Sequence, residues 1–272
     1  MKVFIMGGTA ESIEMIKFIK SNYPQIYIIT STTTEYGGNI ATQAGSDEVI
    51  SKPLPKDSLM EVINENDIDL YIDATHPFAK HITQTACSIV DETNIPFIRF
   101  ERESIVDNIE GINNDNIYHV NSFTEAGILV NENFPEGNVL HLGGINTAGE
   151  VLENVDRERF FIRVLTVKAS LDKCEELNII KEHIFPMNAS KNDDKKIHID
   201  ENIELFKKVD AKIMLTKESG DIGGFKEKMI AADQLGLKII VVDRPVIEGL
   251  KDKCVVNTLD EFDKELQKYL NK

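Results

Sequence analysis

The sequence predicts an α/β protein: mostly parallel sheets flanked by helices, divided into two domains in tandem. Three observations predict it. Short apolar runs alternate with longer amphipathic stretches, which requires crossover connections and hence parallel strands. The chain has 272 residues, more than one average domain. Glycine-rich turns follow several of the apolar runs, at the strand-to-helix junctions where such folds bind ligands.

Taken in order, strands are expected at residues 3–6, 26–30, 48–50, 70–74 and 96–100, with helices over 11–20, 58–66 and 77–91. The 11–20 stretch carries Ile13, Ile16, Phe18 and Ile19, with Lys and Glu filling its other face. Residues 1–110 therefore read as a Rossmann-like, dinucleotide-binding domain. From Arg102 to Asn116 the chain turns polar and charged, and a domain boundary is expected there. The alternation then resumes across a second α/β domain, 111–272. Its strands are expected at 117–120, 138–142, 160–166, 212–216 and 238–242, and its helices at 123–132, 148–155, 198–208, 226–235 and 259–270. The polar run 188–197 reads as a mobile loop.

Composition excludes several partner classes. With 46 acidic and 30 basic side chains the formal net charge is −16. Affinity for phosphate backbones and anionic membranes comes from Lys and Arg, so neither nucleic acid nor a membrane is an expected partner. Most of the positive charge lies after residue 110, which favours the second domain as the place for an anionic ligand. The three cysteines, Cys87, Cys174 and Cys254, form no CxxC pair and read as reduced thiols. The N-terminus meets Gly7-Gly8 and Glu11 too soon for a signal peptide, and no apolar run approaches the ~20 residues that span a bilayer. A soluble, cytoplasmic protein is expected, its oligomeric state undetermined.

Three segments carry chemistry. The first is Gly7-Gly8-Thr9-Ala10-Glu11-Ser12, after strand one and at the start of helix one. Two glycines let backbone N–H groups approach a ligand, and a helix N-terminus favours negative charge, as a dinucleotide pyrophosphate requires. The third glycine of G-x-G-x-x-G is absent, and an ordinary tight turn reads the same way. After strand two, Ser31 and Thr32 are placed to bond a cofactor ribose, followed by Glu35. No Lys or Arg lies between Lys20 and Lys52, which favours NADH over NADPH.

The second segment is Asp73-Ala74-Thr75-His76-Pro77-Phe78-Ala79. It ends strand four, with Thr75 or His76 expected to cap a helix whose first residue is Pro77. His76 reads as functional or as a capping side chain. The third is Thr216-Lys217-Glu218-Ser219-Gly220, continuing through a glycine turn to Lys226 and Lys228. It is no Walker loop, but N–H groups and lysines together suit carboxylates; a solvated turn is the alternative. The six arginines are sparse: Arg99 and Arg102 end strand five, Arg163 lies in a strand and Arg244 follows the last strand. Such placement suits bidentate carboxylate binding, whereas Arg157 and Arg159 read as structural ion pairs. No G-x-S-x-G, H-E-x-x-H or metal-ligand spacing occurs, and no metal is expected.

With these segments in place, the chain resembles the precorrin-6A reductase family of cobalamin biosynthesis, including its cobalt-precorrin-6A members. The resemblance rests on GGTAES at 7–12, DATHPFA at 73–79, RFER at 99–102, TKESG at 216–220 and VVDRP at 241–245, in family order. It implies two Rossmann-like domains with the active site between them, and hydride transfer from NADH or NADPH to a corrin precursor. It implies cofactor contacts from Gly7, Gly8, Thr9, Ala10, Glu11, Ser31, Thr32, Asp73, Ala74, Thr75 and His76, the last as proton donor. The substrate, a tetrapyrrole with several carboxylate arms, would meet Arg99, Arg102, Lys217, Ser219, Gly220, Lys226 and Lys228. Two other classes remain open on the residues alone: a non-catalytic dinucleotide-binding sensor, and a reductase or epimerase of another anionic metabolite.

Overall fold

A computed structural model describes residues 1–104, 109, 111–187, 195–220 and 224–270. The chain divides into unit 1, Met1–Glu103 with Pro245–Lys272, and unit 2, Ser104–Arg244. The first crossing falls in the polar stretch where the boundary was expected. Most of the expected loop 188–197 lies outside the described residues, and Lys195–Ile197 already belong to a helix.

In unit 1 the chain runs β1 (Lys2–Met6), α1 (Ala10–Asn22), β2 (Tyr27–Thr32), α2 (Glu35–Ala44), β3 (Glu48–Ser51), α3 (Lys56–Glu65), β4 (Leu70–Asp73), α4 (Lys80–Thr93) and β5 (Phe97–Phe100). Unit 2 contains β6 (Ile117–Val120), α5 (Phe123–Asn133), β7 (Asn138–His141), α6 (Ala148–Leu152), β8 (Phe160–Leu165), α7 (Lys168–Glu176), β9 (Ile184–Met187), α8 (Lys195–Val209), β10 (Ala211–Lys217), α9 (Phe225–Gln234) and β11 (Lys238–Val242). The chain then returns to unit 1 with β12 (Cys254–Val256) and α10 (Leu259–Leu270).

Each sheet has six parallel strands, in the orders β3-β2-β1-β4-β5-β12 and β9-β8-β7-β10-β11-β6. The first is the dinucleotide-binding order 3-2-1-4-5-6. The second traces the same spatial path, with its sixth place filled by β6, which comes first in that unit. In unit 1 the sixth place is filled by β12, the last strand of the chain. The expected second domain of 111–272 is corrected on this point. Val256 pairs with Phe100, and Phe262 and Leu266 of α10 are buried among Val3, Ile5 and Ile98, so apolar burial returns the C-terminal segment to the first sheet.

Strand alternation builds the core of unit 1 on both faces. Val3 and Ile5 face Met15, Ile16 and Ile19 of α1 and the apolar side of α10. Phe4 and Met6 face Leu59 and Ile63 of α3 and Ala86, Ile89 and Val90 of α4. In unit 2, Leu140, Met214 and Ile239 pack under Phe206 of α8 and Phe225 and Met229 of α9. Among the described residues no helix is long and apolar enough to cross a membrane.

Candidate functional site

In this strand order the direction of winding reverses between β1 and β4, and ligands bind beyond the carboxyl ends of those two strands. Both ends consist of residues singled out in the sequence. Met6 leads into Gly7, whose N–H donates to the Ser31 carbonyl at 2.9 Å. A Cβ on Gly7 would lie 3.0 Å from Ser12 Oγ and 3.3 Å from Thr30 Cγ2, so only glycine lets α1 start this close to the strands. Gly8 has φ +98°, a left-handed conformation, with open space where a Cβ would be. Thr9 caps α1 by accepting from the Ser12 N–H, while its hydroxyl donates to the Ala74 carbonyl at 2.7 Å. This hydrogen bond fastens the glycine turn to the end of β4. A backbone cradle beside a capped helix N-terminus fits a dinucleotide pyrophosphate.

The residues beneath the cradle form a buried ionic network. The Asp73 and Arg99 side chains are both 0% exposed and pair across β4 and β5 at 2.9 Å. Asp73 Oδ1 also accepts from the Thr75 N–H at 3.0 Å and the Thr75 hydroxyl at 2.7 Å, and Arg99 donates to Thr75 Oγ1 at 3.1 Å. Arg102 pairs with Glu11, the acidic residue of the first turn of α1. Burial commits the charges of Asp73 and Arg99 to one another, and Arg102 is held by Glu11. Ser31 and Thr32 are likewise buried, and the Thr32 hydroxyl donates to the Thr34 carbonyl at 3.0 Å.

His76 is half-buried in the turn between β4 and α4. Helix α4 begins at Lys80, not at Pro77, because the Ala79 N–H closes a turn on the His76 carbonyl at 2.8 Å. Neither Thr75 nor His76 is its cap; that place falls to Ala79. The Phe78 N–H donates to His76 Nδ1 at 3.1 Å, which places the proton of the neutral ring on Nε2.

In unit 2 the corresponding reversal lies between β7 and β10. Lys217 ends β10, followed by buried Glu218 and Ser219 and by Gly220 at φ +71°. Residues 221–223 of this turn lie outside the described residues. Glu218 pairs with Arg244 at 2.8 Å, and its N–H donates to Val242, which docks the turn against the end of β11. Lys228, in the first turns of α9, is half-buried, whereas Lys226 is exposed. Burial, and then the like charges of Arg163 and Lys217, push the Lys228 ammonium down to about 7, with Glu227 acting the other way. Burial also lowers Lys217. Arg163, which the sequence placed among the arginines suited to carboxylates, lies half-buried in β8, and its Nη1 donates to Asn202 Oδ1 at 2.7 Å. Arg157 and Arg159 hold carbonyls rather than the expected ion partners, Arg157 that of Leu177 and Arg159 those of Phe134, Glu136 and Gly137.

Comparisons with known proteins bear on the family and the fold. The family model described as precorrin-6x reductase CbiJ/CobK matches residues 2–267. The cobalt-precorrin-6A reductase of Methanothermobacter thermautotrophicus is 32% identical over 263 residues, 96% of this chain and 82% of that protein. That of Methanocaldococcus jannaschii is 35% identical over 249 residues, 91% of this chain and 92% of that protein. A solved structure of CobK precorrin-6A reductase, 18% identical, superposes with a TM-score of 0.73 over 98% of this chain and 97% of that one, which shows the shared fold. This chain therefore belongs to the precorrin-6x reductase CbiJ/CobK family.

Proposed function

We propose that this chain reduces cobalt-precorrin-6A with a nicotinamide coenzyme in cobalamin biosynthesis. The observation that carries the reading is the match over almost the whole chain to the precorrin-6x reductase family and its curated cobalt-precorrin-6A members. The reductase family implies a nicotinamide cofactor, which supplies the hydride when bound. Gly7, Gly8, Thr9 and Ala10 would hold its pyrophosphate through backbone N–H groups and the α1 dipole. Ala74, Thr75 and His76 would bound the same crevice from the end of β4, with Glu11 and Asp73 shaping it through Arg102 and Arg99. NADH rather than NADPH is supported by Glu35, exposed at the start of α2, where a carboxylate repels a 2′-phosphate.

The chain's own chemistry is orientation and proton handling. His76 Nε2–H is the group that would deliver the proton completing the reduction. Lys217, Ser219, Gly220 and Lys228 would bind carboxylate arms of the substrate, with Lys228 rather than Lys226 as the inner lysine because of its partial burial. Anaerobic incubation of cobalt-precorrin-6A with NADH, and separately with NADPH, tests the reading. Corrinoid-dependent loss of nicotinamide absorbance is expected, faster with NADH. No loss above an enzyme-free control with either coenzyme overturns it.

A further inference from the structure

We propose that Thr75 is a positioning residue for the reduction: with Asp73 and Arg99, its hydroxyl holds the turn between β4 and α4 so that His76 stands at a fixed place beside the glycine cradle. The inference rests on the function proposed above and adds to it a residue that acts through His76. Thr75 directly precedes His76 and is buried. A hydroxyl offers one donor and two acceptor positions, and the fold uses them. Thr75 Oγ1 donates to Asp73 Oδ1 at 2.7 Å, accepts from Arg99 Nη1 at 3.1 Å and lies 3.4 Å from Thr83 Oγ1. The Thr75 N–H donates to the same Asp73 oxygen at 3.0 Å. One side chain thus ties the turn to β4, β5 and α4.

The residues on either side complete the clamp. The Ala74 N–H donates to the Met6 carbonyl at 2.9 Å, and the Ala74 carbonyl accepts from the Thr9 hydroxyl at 2.7 Å, so the residue before Thr75 is fixed to β1 and to the cap of α1. After Thr75, the Phe78 N–H on His76 Nδ1 and the Ala79 N–H on the His76 carbonyl close the turn around the ring. The cradle and His76 are therefore joined through Thr9, Ala74 and Thr75. Stability alone does not account for the arrangement. A buried ion pair gains little over an apolar replacement, and this one leaves Asp73 Oδ2 and Arg99 Nη2 buried with no hydrogen-bond partner among the described residues. What the network secures is geometry, and a reacting group misplaced by ~1 Å can cost about a hundredfold in rate.

The test is kinetic and spectroscopic, on the whole chain. T75V keeps the shape of the side chain and removes the hydroxyl. Its kcat with cobalt-precorrin-6A should fall about tenfold, part of the ~10²–10⁴-fold that a positioned proton donor contributes. The KM for the nicotinamide should not move, because Gly7 and Thr9 keep their own hydrogen bonds. T75S, which restores the hydroxyl, should recover most of the loss, and the melting temperature reports folding in each variant. A T75V enzyme with the wild-type kcat, or a T75S enzyme as slow as T75V, overturns the proposal. The second readout needs no turnover: NMR relaxation of the His76 backbone amide. Its order parameter should fall in T75V from about 0.85, the value of rigid backbone, towards about 0.6, and an unchanged value also overturns the proposal. If the wild-type enzyme consumes no nicotinamide with the corrinoid, the function proposed above fails, and the His76 relaxation still decides whether Thr75 holds the turn.

Discussion

The two units wind their strands in the same spatial order, and each places a Gly-Gly pair after its central strand, yet the two pairs differ in what surrounds them. In unit 1 Gly7-Gly8 opens into the thirteen-residue α1, whose first turn is capped by Thr9. In unit 2 Gly143-Gly144 leads into a three-residue 3-10 turn and the five-residue α6, with no side-chain cap. The position where a Gly143 Cβ would stand is crowded by Phe123 at 2.5 Å and His141 at 2.7 Å. His141 is fully buried between Phe123 and Phe160, and its Nε2 reaches Gly144 O at 3.1 Å and Thr147 Oγ1 at 3.0 Å. The same local motif thus leads into a capped thirteen-residue helix in one unit and into a turn packed on a buried histidine in the other, while Gly8 and Gly144 both leave open space at the Cβ position. The support also differs: unit 1 rests on the Asp73–Arg99 ion pair, unit 2 on a neutral histidine. A glycine pair after a strand is therefore no evidence of a nucleotide site until its surroundings are known.

Breaking the ionic support of unit 1 should have the largest effect. Arg99→Met leaves the Asp73 carboxylate buried without its partner, and a loss of about 3–5 kcal/mol is expected in urea denaturation. An undiminished midpoint would show that the network does not hold the β4 end. Next, Gly7→Val should weaken nicotinamide binding about a hundredfold, ~2.7 kcal/mol, in a fluorescence titration. Gly143→Val should leave that affinity alone and lower stability by about 1–3 kcal/mol through the Phe123 and His141 clash. Equal losses of affinity in both variants would erase the contrast between the turns.

The third prediction concerns acid. Burial, aided by Lys217, pushes His141 from 6.5 down to about 4. Between those values the unfolded chain binds the proton and the folded one does not, so stability falls as pH drops through the window, by about 2 kcal/mol at about pH 5. Urea midpoints of wild type and His141→Gln measured against pH should diverge there, with the flatter slope in the variant. The smallest effect is expected from Thr9→Ala, which removes the α1 cap and the Ala74 tie and should lower stability by about 1 kcal/mol in the same denaturation assay.

Much of this was legible beforehand where local pattern and burial coincide. The strands of both sheets show as apolar runs because parallel strands covered on both faces need no polar side. The elements that escaped are those with weak local signals. Helix α2 carries Gly37 and Gly38 where a helix former would announce it, and Gly38 is there because α2 packs directly against Ser51 of β3. Strand β9 contains Pro186, tolerated because β9 is an edge strand. Strand β12 has only three residues. In the candidate site, the glycine turns, His76 and the lysines were visible as motifs. The direction in which each charge is used was not: Arg99 and Arg102 looked like carboxylate binders, and in the structure they pair with Asp73 and Glu11.

The sequence by itself determined the fold class, the strand-ending turns and the family, because periodicity and short motifs are properties of neighbouring residues. The tertiary structure alone decided that Pro245–Lys272 returns to unit 1, that Phe123 and His141 crowd Gly143, and which arginines are buried. Those outcomes depend on contacts between residues as distant as Glu11 and Arg102 or Arg163 and Asn202. Burial and charge compensation are settled by the whole packed chain, and no local stretch carries them.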